Sequence, residues 1–357
     1  AAGSGSLYLT YTVSNYTPHP RTAALYLALR PFQVNPPWQF LNWPGGTAPV
    51  RKIEFHGDRA MVNDEKIIRF ITAPEAFGAA AFAQGDISSF MRRGILPEAQ
   101  SVADDRSLAS AAARYTWRLA PGESREVSLI IPFGAGAPGE EAVDIPRLRA
   151  RVEEFWRTKV RTVSIQLPAS AREVMETVHA NLAWILINRD SAGIQPGSRS
   201  YERSWIRDGA LTSAALLRFN IRREVRDYLE WYSRHLYPSG KVPCVVDRRG
   251  ADPVPENDSN GEYLFAMRQY FLFSADTAFI RAHYPHIRAA AAWLDSLTAQ
   301  RRSARYLPTG EDSSDAFFGL VPESISHEGY SAKPMHSYWD NFFTLRGYND
   351  ALELARL

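Results

Sequence analysis

Near residue 134 the apolar residues of this chain stop recurring in the rhythm of a strand and begin recurring in the rhythm of a helix, so it must build two kinds of domain. Before that point the apolar or alternating runs are short, at 7–13, 23–29, 51–55, 66–71, 114–119 and 126–132. Turns at His56-Gly57-Asp58 and Pro121-Gly122 separate some of them. Many short strands punctuated by Gly and Pro predict an antiparallel β-sandwich over 1–133. The stretch Arg30-Pro31-Phe32-Gln33-Val34-Asn35-Pro36-Pro37-Trp38-Gln39 reads as a stiff aromatic loop that covers a domain interface or contacts ligand.

Residues 134–169 read as a linker with a connecting helix. Gly134, Gly136 and Gly139 alternate with Ala and Pro, and a helix over 146–158 follows, with Pro146 in its first turn and Leu148, Val152, Phe155 and Trp156 on one side. Helical runs are then expected at 170–189, 208–219, 223–236, 258–274, 277–300 and 338–356, making 170–357 an all-α domain. In the first of them Val174, Val178, Leu182, Ile185 and Leu186 form a core stripe. Short links such as Asn220-Ile221-Arg222 alternate with long ones over 190–207, 237–257 and 301–337. Helical hairpins joined in this way send their long loops to one face, where a site would sit.

Those long loops end in acidic and aromatic clusters: Trp205-Ile206-Arg207-Asp208-Gly209, Glu256-Asn257-Asp258-Ser259-Asn260-Gly261-Glu262 and Tyr338-Trp339-Asp340-Asn341. A pyranose ring presents hydroxyls that charged planar groups hold by directed hydrogen bonds, and an apolar face that an aromatic ring covers. Helix capping accounts for any one acid of this kind, since Asp and Asn are ordinary N-cap residues. Three such clusters, each with an acid, point to sugar binding by Trp205, Arg207, Asp208, Glu256, Asp258, Glu262, Tyr338, Trp339 and Asp340.

Other classes find little support. The 357 residues carry 41 basic against 39 acidic side chains with no long basic block, so neither nucleic acid nor an anionic membrane is an expected partner. No apolar run approaches the roughly 20 residues of a membrane helix. The start, Ala1-Ala2-Gly3-Ser4-Gly5-Ser6, lacks the basic and apolar regions of a secretory signal, which leaves the compartment open, a removed leader included. Cys244, the one cysteine, is expected to pack as a small buried hydrophobe, so no internal disulfide or multi-cysteine zinc site can form. No phosphate loop, dinucleotide fingerprint or metal-ligand spacing occurs; His327, His336 and the acids of 311–315 read as a solvated loop, and no cofactor or metal is expected.

The clusters resemble those of six-hairpin glycosidases with an (α/α)6 barrel, most closely the bacterial glucoamylase-type family, with trehalase-like and disaccharide-phosphorylase-like features. In that family a Trp-x-Arg-Asp motif opens the second barrel helix and grips the sugar at the cleavage position, matched here by Trp205, Arg207 and Asp208. An acid followed shortly by Gly-Glu at the fourth helix is matched by 258–262, and Tyr338-Trp339-Asp340 is similar to the Tyr-Trp-Asp step of trehalases. The family's general acid lies about ten residues before a Tyr that begins the sixth helix, which implies Glu328 ahead of Tyr338. Here Glu328 stands in His327-Glu328-Gly329, without the Trp-Glu pair usual around that acid.

Glycoside cleavage needs one carboxylic acid to protonate the departing oxygen and a second carboxylate to activate water or attack the sugar. Glu323, Glu311 and Asp340 rival Glu328 for the acid, and Asp208 beside Arg207 suits a fixed acceptor of sugar hydroxyls. The helical pattern supplies the first half of a toroid, while the family's base lies in the second. A further segment or a second chain is therefore the expected partner, beside an oligosaccharide or glycoside. The expected reaction is hydrolysis of a glycosidic bond in an oligo- or disaccharide with inversion. The alternatives are a phosphorylase or transglycosylase on the same scaffold, and a glycan-binding protein without catalysis.

Overall fold

The structure, a computed structural model, describes residues 5–35, 46–134, 143–198, 201–307, 316–325 and 333–357. Its contacts divide near Arg149 and Ala150 into two compact units. Within the first, the strands are β1 (Ser6–Ser14), β2 (Arg21–Leu29), β3 (Gln33–Asn35), β4 (Gly46–Thr47), β5 (Lys52–His56), β6 (Arg59–Val62), β7 (Lys66–Phe70), β8 (Ala76–Ala80), β9 (Ser101–Ala103), β10 (Ser110–Leu119) and β11 (Ser124–Pro132), with a short helix α1 (Ile87–Arg92). One antiparallel sheet has the order β1-β11-β7-β6-β5-β9 and another β2-β10-β8. Both sheets feed one core, in which Phe55 of the larger sheet stacks on Phe77 of the smaller with ring centroids 4.2 Å apart. This is a β-sandwich. Strands β3, β4, β6, β8 and β9 and helix α1 go beyond the sequence reading, β3 forming inside the stretch read as a loop by pairing with β4, and 36–45 lies outside the described residues.

A helix α2 (Ile145–Val160) crosses the division, and the second unit continues with α3 (Arg172–Ile187), α4 (Ile206–Arg218), α5 (Arg222–Ser233), α6 (Ser259–Ser274), α7 (Thr277–Ala299) and α8 (Tyr338–Ala355). A small antiparallel ribbon of β12 (Ser204–Trp205), β13 (Val245–Asp247) and β14 (Gly250–Ala251) sits at the start of α4. On α3 the expected stripe begins a turn late: Val174 is exposed, while Leu182 is buried and Val178, Ile185 and Leu186 pack on the core.

Helix α6 is the centre of this unit, packed against α4, α5, α7 and α8. Its Tyr263, Leu264, Ala266 and Met267 are all fully buried, as a helix walled in on every side requires. Two close approaches hold it. A methyl on Gly261 would stand 2.1 Å from the Phe343 carbonyl oxygen of α8, and one on Gly347 would stand 2.8 Å from Gly261 Cα, so glycines at these points let α6 and α8 touch backbone to backbone. A methyl on Gly209 of α4 would meet the Tyr228 hydroxyl at 2.0 Å. The Gly of the Trp-x-Arg-Asp-Gly cluster is thus explained by the tyrosine packed over it. No described helix is long and apolar enough to cross a membrane.

Helix α8 is unusual in what it buries. Asp340, Thr344 and Asp350 face inward at 5% exposure or less, whereas Phe342, Leu345 and Leu352 lie outward at 54% or more.

Candidate active site

The three clusters meet at the starts of α4, α6 and α8. Arg207, in the first turn of α4, directs Nη1 to Glu256 Oε2 at 3.3 Å and to Asp258 Oδ2 at 3.4 Å. From α8 the indole Nε1–H of Trp339 donates to the same Asp258 Oδ2 at 2.9 Å and to Glu262 Oε1 at 3.3 Å. Capping does not account for these acids: Asp258 occupies the N-cap position of α6 but accepts no capping hydrogen bond there. Capping does explain Ser337, whose hydroxyl accepts from the Trp339 backbone N–H. The asparagines nearby are structural, Asn257 Nδ2 donating to the Pro322 carbonyl and Asn260 joining Val242 N–H, Gly240 O and Ala290 O.

Burial sets the electrostatics. Glu256, Asp258 and Glu262 are 6%, 2% and 0% exposed, so loss of water raises the carboxyls of Asp258 and Glu262 above their usual range. For Asp258 the neighbouring Glu256 adds to this rise, and Arg207 opposes it. Glu262 is driven well up, first by its complete burial and then by the charge of Asp258, against a smaller opposing pull from Arg207. Asp340 is buried too, and its carboxyl is pushed up to about 6 by desolvation, partly offset by the Ser324 hydroxyl that donates to Oδ2 at 2.6 Å.

The remaining expected residues fall in different surroundings. Trp205 is 5% exposed, packed with Cys244 and Val245 and covered by the guanidinium of Arg203 at 5.2 Å. Asp208 lies in the first turn of α4 one position from Arg207. Tyr338 is largely exposed, and Trp339 keeps 42% of its surface in solvent. Glu328, Glu311 and His327 lie outside the described residues. On either side of 326–332, Ser324 and Met335 pair through two backbone hydrogen bonds. Glu323 pairs with Arg301 and stands 3.2 Å from His336 Nε2. Its own backbone N–H and then Arg301 hold its carboxyl low, which suits an ion and not a proton donor. Among the described residues no group of three or more potential ligands could hold a metal ion.

Arg203 escaped the sequence reading. Its side chain is 4% exposed and bridges Asp247 Oδ2 at 2.8 Å and Asp252 Oδ2 at 2.9 Å while its plane covers Trp205. It thereby joins the ribbon β12–β13–β14 to the residue that precedes α4. The one local hint was an Arg two positions before the Trp. A surface hollow of about 570 Å3 lies elsewhere, bordered by Phe155, Lys159 and Ile221, and contains none of the clustered residues.

No protein-family model and no curated protein matches this sequence. Among solved structures, a bacterial glucoamylase complexed with acarbose is similar in fold over 93% of this chain and 48% of its own, with a TM-score of 0.57 and 10% sequence identity. A rhamnosidase from Klebsiella oxytoca with rhamnose bound matches at a TM-score of 0.38 and 13% identity, over 95% of this chain and 66% of that one. A mannosylglycerate hydrolase from Thermus thermophilus in complex with Tris matches at a TM-score of 0.30 and 15% identity, over 49% and 51%. This chain spans about half the length of the glucoamylase it matches. The likeness to that enzyme is one of fold: a β-sandwich followed by helices of the (α/α)6-barrel type.

Proposed function

We propose that this chain grips a sugar for cleavage of a glycosidic bond, as part of a glycoside hydrolase acting on an oligo- or disaccharide with inversion. One observation carries the reading: Arg207, Asp258, Glu262 and Trp339, drawn from three separate clusters, are hydrogen-bonded to one another at the starts of three packed helices. A guanidinium held between carboxylates, beside an indole with an open face, has the chemistry to hold ring hydroxyls and cover the apolar face of a pyranose. In this reading Arg207, Asp208, Glu256 and Asp258 bind hydroxyls, Trp339 and Tyr338 supply aromatic surface, and Trp205 supports the motif from beneath. Asp340 orients the segment that carries Ser324.

Glu328 is proposed as the general acid, which protonates the departing oxygen while a base from another segment or chain activates water. The Ser324–Met335 pair and the Ser324 bond to Asp340 support this, because they tie both flanks of 326–332 to the start of α8. Asp340 is the second candidate, since a buried carboxyl at about 6 is suited to proton donation near neutral pH.

The test is product analysis with maltose and acarbose as first probes, prompted by the ligand of the glucoamylase structure. With the segment or chain that carries the base present, maltose hydrolysis that begins with the inverted anomer, abolished by Glu328→Gln and retained by Asp340→Asn, is the expected result; the reverse pattern moves the acid to Asp340. Turnover that requires phosphate makes the protein a phosphorylase, and sugar binding without turnover in the presence of every completing segment makes it a binding protein. No binding to any sugar tried would overturn the reading.

A further inference from the structure

We infer that Glu262 is a proton-holding positioning residue: a proton kept between Glu262 and Asp258 lets one indole N–H serve both carboxyls and so fixes the ring of Trp339. The role of that ring as a sugar platform rests on the function proposed above; the proton and the tether do not.

The donor inventory demands it. Asp258 Oδ2 receives Trp339 Nε1–H and Arg207, and Oδ1 faces the Ser259 hydroxyl at 3.4 Å. Glu262, with no exposed surface, receives the longer branch of that same indole N–H on Oε1, and its Oε2 meets no donor among the described residues. A buried carboxylate with half a hydrogen bond, and with Arg207 engaged by Glu256 and Asp258, would be strongly unfavourable. A carboxylic acid there is not, for its O–H donates to the carboxylate of Asp258 and removes one of two like charges placed a helical turn apart.

The groups that face Glu262 agree. Asp258 lies on its own helix; Arg207 approaches from α4 and favours Asp258 as the ionised member; Tyr228 and Tyr232 of α5 are buried beside it, and its charge would raise both hydroxyls further. From α8 comes Trp339, and α7 meets this end of α6 through a neutral bond from Asn260 to the Ala290 carbonyl. Ionisation of Glu262 would leave two anions competing for a single N–H. The ring of Trp339 would then lose one of its two anchors, so the tether weakens as pH rises.

Glu262→Gln has the size of Glu and carries a permanent N–H donor in place of the acid O–H, so folding is not at stake. Infrared difference spectra of wild type minus Glu262→Gln at neutral pH are expected to show the C=O stretch of a protonated carboxyl, shifted in heavy water. In 15N-labelled protein, with the Trp339 indole resonance assigned by its loss in Trp339→Phe, that resonance is expected to move with alkalinisation in wild type and to stay in place in Glu262→Gln. Absence of the protonated band, or a Trp339 resonance displaced at neutral pH in Glu262→Gln, would overturn the inference, because Glu262 would then be a carboxylate. Neither measurement uses a sugar, so a chain that binds none would defeat the proposed function and still leave this inference decided.

Discussion

The indole N–H of Trp339 lies 2.9 Å from Asp258 Oδ2, joining the first turn of α8 to the start of α6 across 81 positions of sequence. The bond is half of what brings the clusters together; the other half is Arg207. Trp339→Phe keeps an aromatic ring but leaves Asp258 and Glu262 without that donor. Removing a donor from a buried charged acceptor costs ~1–3 kcal/mol. Denaturant unfolding is expected to show a loss of that size, and a binding titration a weaker grip on sugar, while Trp339→Leu should lose more binding than Trp339→Phe because the ring face goes as well.

Asp340 offers a pH-dependent test. Its carboxyl is raised from 3.8 to about 6 in the folded chain, so the fold binds its proton more tightly than the unfolded chain does. The sign follows: stability is undiminished below the unfolded value, falls as pH rises towards about 6 and stays reduced above it, by ~3 kcal/mol at ~1.4 kcal/mol per pH unit. Asp340→Asn keeps an acceptor for Ser324 and carries no charge. It is expected to stabilise the chain at neutral pH, to be without effect in acid, and to flatten the melting temperature between those limits. A variant that melts lower than wild type at neutral pH would show that the charge itself supports the fold.

Arg203 is expected to be the most sensitive cation of the helical unit. Arg203→Met leaves Asp247 buried with Arg249 as its remaining partner and Asp252 without its guanidinium, and breaking a buried pair from one side costs ~3–5 kcal/mol. Arg203→Lys restores a charge without the planar fork, so it should recover part of the stability and little of the Trp205 packing. Urea unfolding with near-ultraviolet circular dichroism reads both.

The order of the two domains was legible because each half repeats its own period many times. Some strands escaped by their shortness, as β6 and β9 did, and others by lack of alternation: β8 reads Ala-Phe-Gly-Ala-Ala, and the first half of β10 is a run of Ala at 111–113 buried to the last atom. These small residues pair with one another across β8 and β10, and nothing in their pattern announces a strand. The cluster residues were legible as types, since acids and aromatics that open helices are conspicuous. Their connections were not. The Trp339–Asp258 bond depends on α6 and α8 crossing at Gly261 and Gly347, and Arg203 finds its carboxylates 44 and 49 positions on. Contacts of this range have no local period to betray them.

The crossing itself can be broken. Gly261→Ala puts a methyl 2.1 Å from the Phe343 carbonyl oxygen, a backbone atom that can retreat only if α8 moves. Overpacking of this kind costs ~1–3 kcal/mol. The expected outcome is a lower melting temperature together with loss of the Trp339 tether, visible as a shifted indole resonance. A control at an exposed position of the same helix, Leu272→Ala, should move neither.

Helix α8 carries the last prediction. Phe342, Leu345 and Leu352 share one outward face at spacings of three and seven, and they are 66%, 62% and 54% exposed. Residues three, four and seven apart lie along one side of a helix, so these three share one outward seam, with Asn349 between Leu345 and Leu352. The buried side of the same helix carries Asp340, Thr344 and Asp350 beside Leu354, with Tyr348 and Ala351 packed on the core, so the outward apolar residues are not the ones that dock α8. The seam is expected to draw two copies of this chain together through their α8 helices. This chain by itself is then expected to bind a hydrophobic dye and to self-associate with rising concentration, and Phe342→Ser with Leu345→Ser should reduce both while leaving the helical content intact. A monodisperse wild-type chain that ignores the dye would show that the seam draws no second copy.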